Sequence, residues 1–251
     1  LFPYTTLFRS PLDALVQVAD FYLKLENFSS QQILEKKLWE GESMMKNMDI
    51  EKFLDELSSA SPTPGGGAAS ALVGAIAASL SSMVANLTIG KKKYADVENE
   101  MKDIVKKATE IRNALISLMN EDVNAFNKIM DAYKLPKEND EQIKIRKEKI
   151  EEASKYACQV PLKTAKLSLD VMDLAIRVIE KGNKNAVSDG ACSGYFAESA
   201  IKGALSNVMI NLKNIEDNEF KKAMNDEMER IRKDADEKLK IIEIKLKEVM
   251  L

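Results

Sequence analysis

Between Met101 and Met130 apolar side chains return every three or four residues: Met101, Ile104, Val105, Ala108, Ile111, Leu115, Leu118, Met119, Val123, Phe126, Ile129 and Met130. That spacing puts them on one face of an α-helix and predicts a long helix over roughly residues 95–135, ended by Pro136. A charged helix over 138–159 is predicted next. Its run EQIKIRKEKIEE reads as a solvated face with i, i+4 ion pairs. Pro161 suits the first turn of a separate helix that stops at Gly182. Past the turn GNKNAVSD, helices are predicted over 188–214 and from Asp217 or Asn218 onward. The last carries Phe220, Met224, Met228, Ile231, Leu239, Ile242, Leu246 and Val249 on one side. Upstream, Ile50, Phe53, Leu54 and Leu57 mark a short amphipathic helix. No stretch alternates as a strand would. The pattern predicts an all-α, up-and-down bundle of long antiparallel helices.

One segment departs from this amphipathic rule. SPTPGGGAASALVGAIAASLSSMVANLTIGKKKY, residues 61–94, opens with two prolines and three glycines and closes with Gly90 and three lysines. Between them Ala68 to Ile89 carries no charge. A run of that length can signal a membrane span. Its Ala, Ser and Gly content makes it a poor insertion candidate, whereas a helix small or apolar on all sides suits the centre of a bundle. Gly65, Gly66 and Gly67 allow backbone angles closed to other residues. They also leave bare N–H groups at a helix start, where an anion or carbonyl can bind. The plain alternative is a turn into a buried helix.

The N-terminus reads differently. Residues 1–10, LFPYTTLFRS, look like a translated sequencing adapter and are set aside as non-native. Residues 11–47 form a second unit, with one helix ending at Phe28-Ser29-Ser30 and a shorter one, capped by Ser30, through Trp39. This unit is too short to bury a core of its own. The helical domain is expected over 48–251.

A net charge of −3 does not point to nucleic acid. Cys158 and Cys192 are expected as reduced core residues of a cytoplasmic protein. The chain has no histidine, so acid–base work falls to Asp, Glu, Lys, Tyr, Cys or backbone groups, and a zinc site is disfavoured. Candidate chemistry gathers at the Pro-Gly loop, at Lys91-Lys92-Lys93-Tyr94, at Glu121 and Asp122, and in the turn Gly182 to Asp189. Ser188 or Asp189 is alternatively a helix N-cap, and Asp122 alternatively a solvent-facing residue. Asn207 and Asn211, one turn apart, can read a flat heterocycle or bond each other.

PTPGGG, MVANLT followed by GKKKY, DVNAFNKIM, GNKNAVSD and NVMINL, in that order and spacing, resemble the cyclodeaminase/methenyltetrahydrofolate cyclohydrolase family over about residues 48–251. PLDALVQVADFYLKLENF is similar to the C-terminal end of glutamate formimidoyltransferase, so the chain looks like part of a bifunctional formimidoyltransferase-cyclodeaminase. The resemblance implies a homodimer or higher homo-oligomer with a folate substrate, which can be polyglutamylated. It implies no cofactor beyond that folate, no metal, and neither nucleic acid nor membrane as partner. The implied reaction converts 5-formimidoyltetrahydrofolate to 5,10-methenyltetrahydrofolate and ammonia. The alternatives are hydrolysis of the methenyl compound to the 10-formyl compound, or a non-catalytic helical scaffold. On this view Asp189 and Asp122 are the carboxylates, with Lys184 or Tyr94 as proton donor. Pro64, Gly65, Gly66, Gly67, Asn86, Asn183, Asn185, Asn207 and Asn211 bind substrate, and Lys91, Lys92 and Lys93 hold the glutamyl tail.

Overall fold

A computed structural model describes residues 48–250, and among them every regular element is helical. The helices are α1 (Ile50–Ser58), α2 (Gly66–Asn86), α3 (Glu98–Lys134), α4 (Asp140–Lys181), α5 (Val187–Leu212) and α6 (Asn218–Met250). Short 3₁₀ segments lie at Lys92–Val97 and Lys184–Ala186. The readings made for residues 1–10 and 11–47, including the helix through Trp39, fall outside the described residues.

The direction of each helix follows from its partners. Ala68 at the start of α2 meets Asp122 late in α3, and Glu100 early in α3 pairs with Lys181 at the end of α4. Lys166 of α4 pairs with Glu227 of α6, and Glu180 pairs with Lys245 further along both. So α2, α4 and α6 run one way and α3 and α5 the other, the up-and-down bundle the periodicity predicts. Helix α2 lies against α3, α4 and α5, and its small residues are the reason it fits there. Gly74 sits where a Cβ would meet the Ser168 hydroxyl and come within 3.2 Å of Leu115, and Gly203 of α5 leaves room for Ser70. Ser193 donates to the Ala77 carbonyl at 2.7 Å and shares a 2.8 Å hydroxyl bond with Ser81, so the serines between α2 and α5 are satisfied inside the core.

By length and hydropathy α2 passes for a membrane span, but 56% of that window is buried within the bundle. Its lack of charge follows from those protein neighbours. Helix ends are capped as polar side chains permit. Asn139 accepts the Gln142 N–H at 2.9 Å, and Asp217 accepts that of Phe220 at 3.0 Å. The Glu151 carboxylate accepts the N–H groups of Glu216 and Asp217, which ties the α5–α6 turn to α4.

Several expectations change. The charged segment and the segment after Pro161 are one continuous helix, α4, with Pro161 inside it. Buried neighbours on α2, α3 and α5 hold it straight enough to override the local break. Of the α1 apolar set, Phe53 is buried while Ile50 and Leu54 face solvent. Cys158 is buried, and burial pushes its thiol up to about 12, whereas Cys192 is exposed on α5. Among the described residues only Gly90 has a positive φ (76°). The glycines of the Pro-Gly loop are thus not required for backbone angle, and what they provide is space.

Close approach at Gly74 generates a stability test. Gly74→Leu should cost about 1–3 kcal/mol, the usual range for overpacking a core, and lower the melting temperature. Lys106→Ala, exposed on α3, should leave the melt nearly unchanged. Equal effects of the two in thermal unfolding would mean that α2 is not held by contact at Gly74.

Candidate active site

The start of α2 and the middle of α3 make a cleft of about 180 Å³, lined by Pro62, Thr63, Gly65, Gly66, Gly67, Asp122, Ala125, Phe126, Ile129, Ala157, Asn207 and Asn211. The Thr63–Pro64 peptide is cis, and Pro64 itself is buried. Gly65 occupies the N-cap position of α2 with no side-chain cap, so the first amides of the helix are left for other partners. Asp122 takes one of them: its Oδ2 accepts the Ala68 N–H at 3.0 Å. A Cβ on Gly67 would land on the Asp122 carboxylate, and one on Gly66 would stand 3.2 Å from Asn207 Nδ2. Glycine is needed here because two side chains from other helices occupy the space beside the backbone.

Asp122 is therefore no surface residue. Burial pushes its carboxyl above the ordinary aspartate range, and the Ala68 N–H only partly opposes that. The two asparagines do not bond each other. Asn207 Nδ2 donates to the Gly203 carbonyl at 2.9 Å, and Asn211 Nδ2 to the Ala157 carbonyl at 2.8 Å. Only an N–H can face a carbonyl, so each amide has its orientation settled and keeps its oxygen as an acceptor. Phe126 and Ile129 add an apolar wall. The sequence analysis did not single these two out. The signal was there, since Phe126 and Ile129, at i+4 and i+7, share a helix face with Asp122. A slot with apolar sides, acceptor oxygens and bare helix amides can hold a flat, hydrogen-bonding ring.

The remaining candidates gather at the other end of α2, roughly 30 Å away at 1.5 Å per residue along its 21 residues. Lys91, Lys92 and Lys93 are exposed, and Asn86 is exposed beside Ser82. Asn183 is buried and fully used: its N–H donates to Thr88 at 2.8 Å, its Nδ2 to the Leu87 carbonyl at 3.1 Å, and its Oδ1 accepts from Asn185 N–H at 3.2 Å. Lys184 Nζ donates to the Ile179 and Glu180 carbonyls, closing the C-terminus of α4, while its N–H donates to the Tyr94 phenol at 3.1 Å. Helix α5 begins at Val187 with Ala186 at the cap, so neither Ser188 nor Asp189 caps it. Asp189 is half-buried in that first turn. Glu121 leaves the cleft and accepts the Tyr156 hydroxyl at 3.0 Å, with Lys163 at 3.5 Å. A larger, more open cleft of about 460 Å³ involves Lys128, Lys149, Glu152 and Tyr156, but Lys149 pairs with Glu152 and Lys128 sits over the Tyr156 ring.

Comparison with known proteins bears on the family and the fold. The profile of a family described as formiminotransferase-cyclodeaminase matches residues 49–230. A methenyltetrahydrofolate cyclohydrolase of Methylorubrum extorquens is 46% identical over 177 residues, 70% of this chain and 85% of that one. A formimidoyltransferase-cyclodeaminase of Dictyostelium discoideum is 30% identical over 263 residues, covering 93% of this chain. The chain spans about half (48%) of that relative's length. The crystal structure of formiminotetrahydrofolate cyclodeaminase from Thermotoga maritima superposes with a TM-score of 0.75 at 33% identity, over 82% of this chain and all of that one.

The raised pKa of Asp122 predicts a pH-dependent stability. Folding raises the proton affinity of this carboxyl, so ionising it costs more in the folded chain than in the unfolded one. That cost is fully present above the folded pKa and disappears once both states are protonated, below the ordinary aspartate value. Asp122→Asn still offers an acceptor to the Ala68 N–H. It should raise the melting temperature at neutral pH, and the gain should shrink as pH falls toward the acid range. Melts of both chains from about pH 4 to 8 check this, and a pH-independent difference would contradict it.

Proposed function

This chain belongs to the formiminotransferase-cyclodeaminase family, and from that premise we propose that it cyclises 5-formimidoyltetrahydrofolate to 5,10-methenyltetrahydrofolate with release of ammonia. The observation that carries the reading is the Asp122 carboxylate, half-buried at the start of α2 between the glycine loop and the two asparagines. In the reaction N10 attacks the formimidoyl carbon and a C–N10 bond forms. The formimidoyl group reacts in its protonated =NH2+ form, so attack leaves an –NH2 on the tetrahedral carbon; the N10 proton goes to a base, and the C–N bond breaks as the –NH2 takes a proton and departs as ammonia. Asp122, with its raised proton affinity, is the base and then faces the amidinium cation that results. The Gly66 and Gly67 amides and the Asn207 and Asn211 oxygens hold the polar edge of the ring against Phe126 and Ile129.

The cleft of one chain is small against the roughly 300–1,000 Å³ usual for such ligands. A homodimer supplies the rest. The outer face of α2 carries no charge over its whole length and exposes Ile76, Met83 and Leu87. Two copies related by a two-fold axis, α2 antiparallel to α2, bring one end of each helix to the opposite end of its partner. The partner subunit's Asp189, Tyr94 and Lys91 to Lys93 then close over the cleft. Asp189 serves as second carboxylate, Tyr94 as proton donor, and the lysines attract the glutamyl tail.

Hydrolysis of 5,10-methenyltetrahydrofolate is the second reading, favoured by the 46% identical cyclohydrolase. The Dictyostelium match favours cyclisation. It covers 93% of this chain, and the 7% left uncovered is shorter than the segment ahead of Asp49, so the likeness to a bifunctional protein extends into that segment.

The deciding assay follows methenyl absorbance with each substrate in turn. Rapid appearance of the band from the formimidoyl compound is expected. Enzymatic decay of the methenyl band without that appearance would make the chain a cyclohydrolase, and neither change would leave it a scaffold. Asp122→Asn should lower kcat by about 10²–10⁴-fold, as loss of a positioned acid–base group does. A kcat within a few-fold of the parent removes Asp122 from catalysis.

The dimer has its own check. Ile76→Glu, at the middle of the proposed two-fold contact, should sediment as a single chain, retain its helical circular dichroism and lose turnover. A parent chain that sediments as a monomer with full activity would overturn the shared site.

A further inference from the structure

Pro161 is an anomaly one helical turn beyond Ala157, a residue of the cleft wall. It stands inside the 42-residue helix α4, where a proline lacks the N–H that would bond four residues back and is disfavoured relative to alanine. The carbonyl it leaves without that donor is that of Ala157, and Ala157 lines the cleft. The donor that arrives instead is Asn211 Nδ2 from α5, at 2.8 Å. Asn207, one turn earlier, is anchored differently, on the Gly203 carbonyl of its own helix. Of the two amides in the cleft, one depends on its own helix for orientation and the other on a defect in a neighbouring helix.

We propose that Pro161 is a positioning residue: by withholding a backbone N–H from the Ala157 carbonyl, it makes that carbonyl the anchor of the Asn211 carboxamide and so sets the amide oxygen as a fixed acceptor for the ligand in the cleft. A side chain at 161 that restores the backbone N–H also restores the helical bond to Ala157 O. The Asn211 amide then loses its anchor or has to share it. The sequence cost of a proline in a buried helix is accepted for the sake of an ordered polar group in the site. Use of that oxygen by a folate rests on the function proposed above, whereas the anchoring itself does not.

The test uses the full chain and two readouts. The first is the side-chain amide resonance of Asn211, assigned by its disappearance in Asn211→Ala. In the parent this resonance should be shifted and slow to exchange. In Pro161→Ala it should move to the position of a solvated amide and exchange faster, while the melting temperature stays level or rises, since alanine is the better helix former. The second is calorimetric affinity for 5-formyltetrahydrofolate, a stable compound with oxygen in place of the formimidoyl nitrogen. Pro161→Ala should weaken it about tenfold, on the scale of one lost hydrogen bond, and Asn211→Ala should add nothing in that background. A merely structural proline predicts a changed melt with the Asn211 resonance and the affinity both unmoved. An unmoved resonance overturns the anchoring. A released amide with unchanged affinity overturns its use in recognition. Asn211→Asp, which cannot donate to Ala157 O, should show the same loss in a chain that keeps its proline, and full affinity there also overturns the proposal. A parent that binds no folate refutes the function proposed above while the resonance still decides the anchoring.

Discussion

Everything else in this bundle depends on how closely α2 approaches its neighbours. With Gly, Ala and Ser at nearly every buried position, its backbone comes near enough that side chains of α3, α4 and α5 sit in space a larger residue would fill. The hydrophobic contribution of such small residues is modest per side chain. Most of the apolar burial comes instead from larger residues elsewhere in the core, such as Met101, Ile104, Leu115, Met172 and Ile201. The buried serines along it are tolerated because Ser70 donates to the Gly66 carbonyl and Ser81 shares a bond with the Ser193 hydroxyl.

The same closeness builds the cleft. At the start of α2 the missing side chains of Gly66 and Gly67 let Asn207 and Asp122 reach the helix backbone. A carboxylate brought to that point gains one backbone N–H and loses much of its hydration, and loss of hydration is the larger effect. The site therefore contains a group that is uncomfortable when ionised. Such a group is suited to taking a proton and poorly suited to stabilising the fold. Pro161 follows the same logic, as a local defect in α4 that leaves a carbonyl available to a side chain in the cleft.

The far end of α2 does different work in a single chain. Asn183 and Lys184 are spent on joining helices, whereas the lysines, Tyr94 and Asp189 remain accessible or half-buried. An uncharged, partly exposed helix face connects this end to the cleft. That face is costly to leave in water, which is what the proposed two-fold contact rests on.

How much was legible beforehand divides by physical cause. Helix class, the order of elements and most boundaries were set by local chemistry: a 3.6-residue apolar period, prolines at 62, 64 and 136, and a helix opening at Asp217 or Asn218. The family motifs also lay open in the linear sequence. Pro161 was misjudged as a helix start, because local propensity carries no knowledge of the neighbours that keep α4 continuous. The glycine loop was credited with unusual backbone angles when it supplies space, since close approach between distant segments has no local signature. Asp122 was legible as a carboxylate among apolar residues, and only tertiary packing decided that it meets the N-terminus of α2. By itself the sequence determined which residues were chemically able to act. Which of them share one end of the bundle was decided by the antiparallel register of α2, α3 and α5, because that register depends on side-chain fit between segments far apart in the chain.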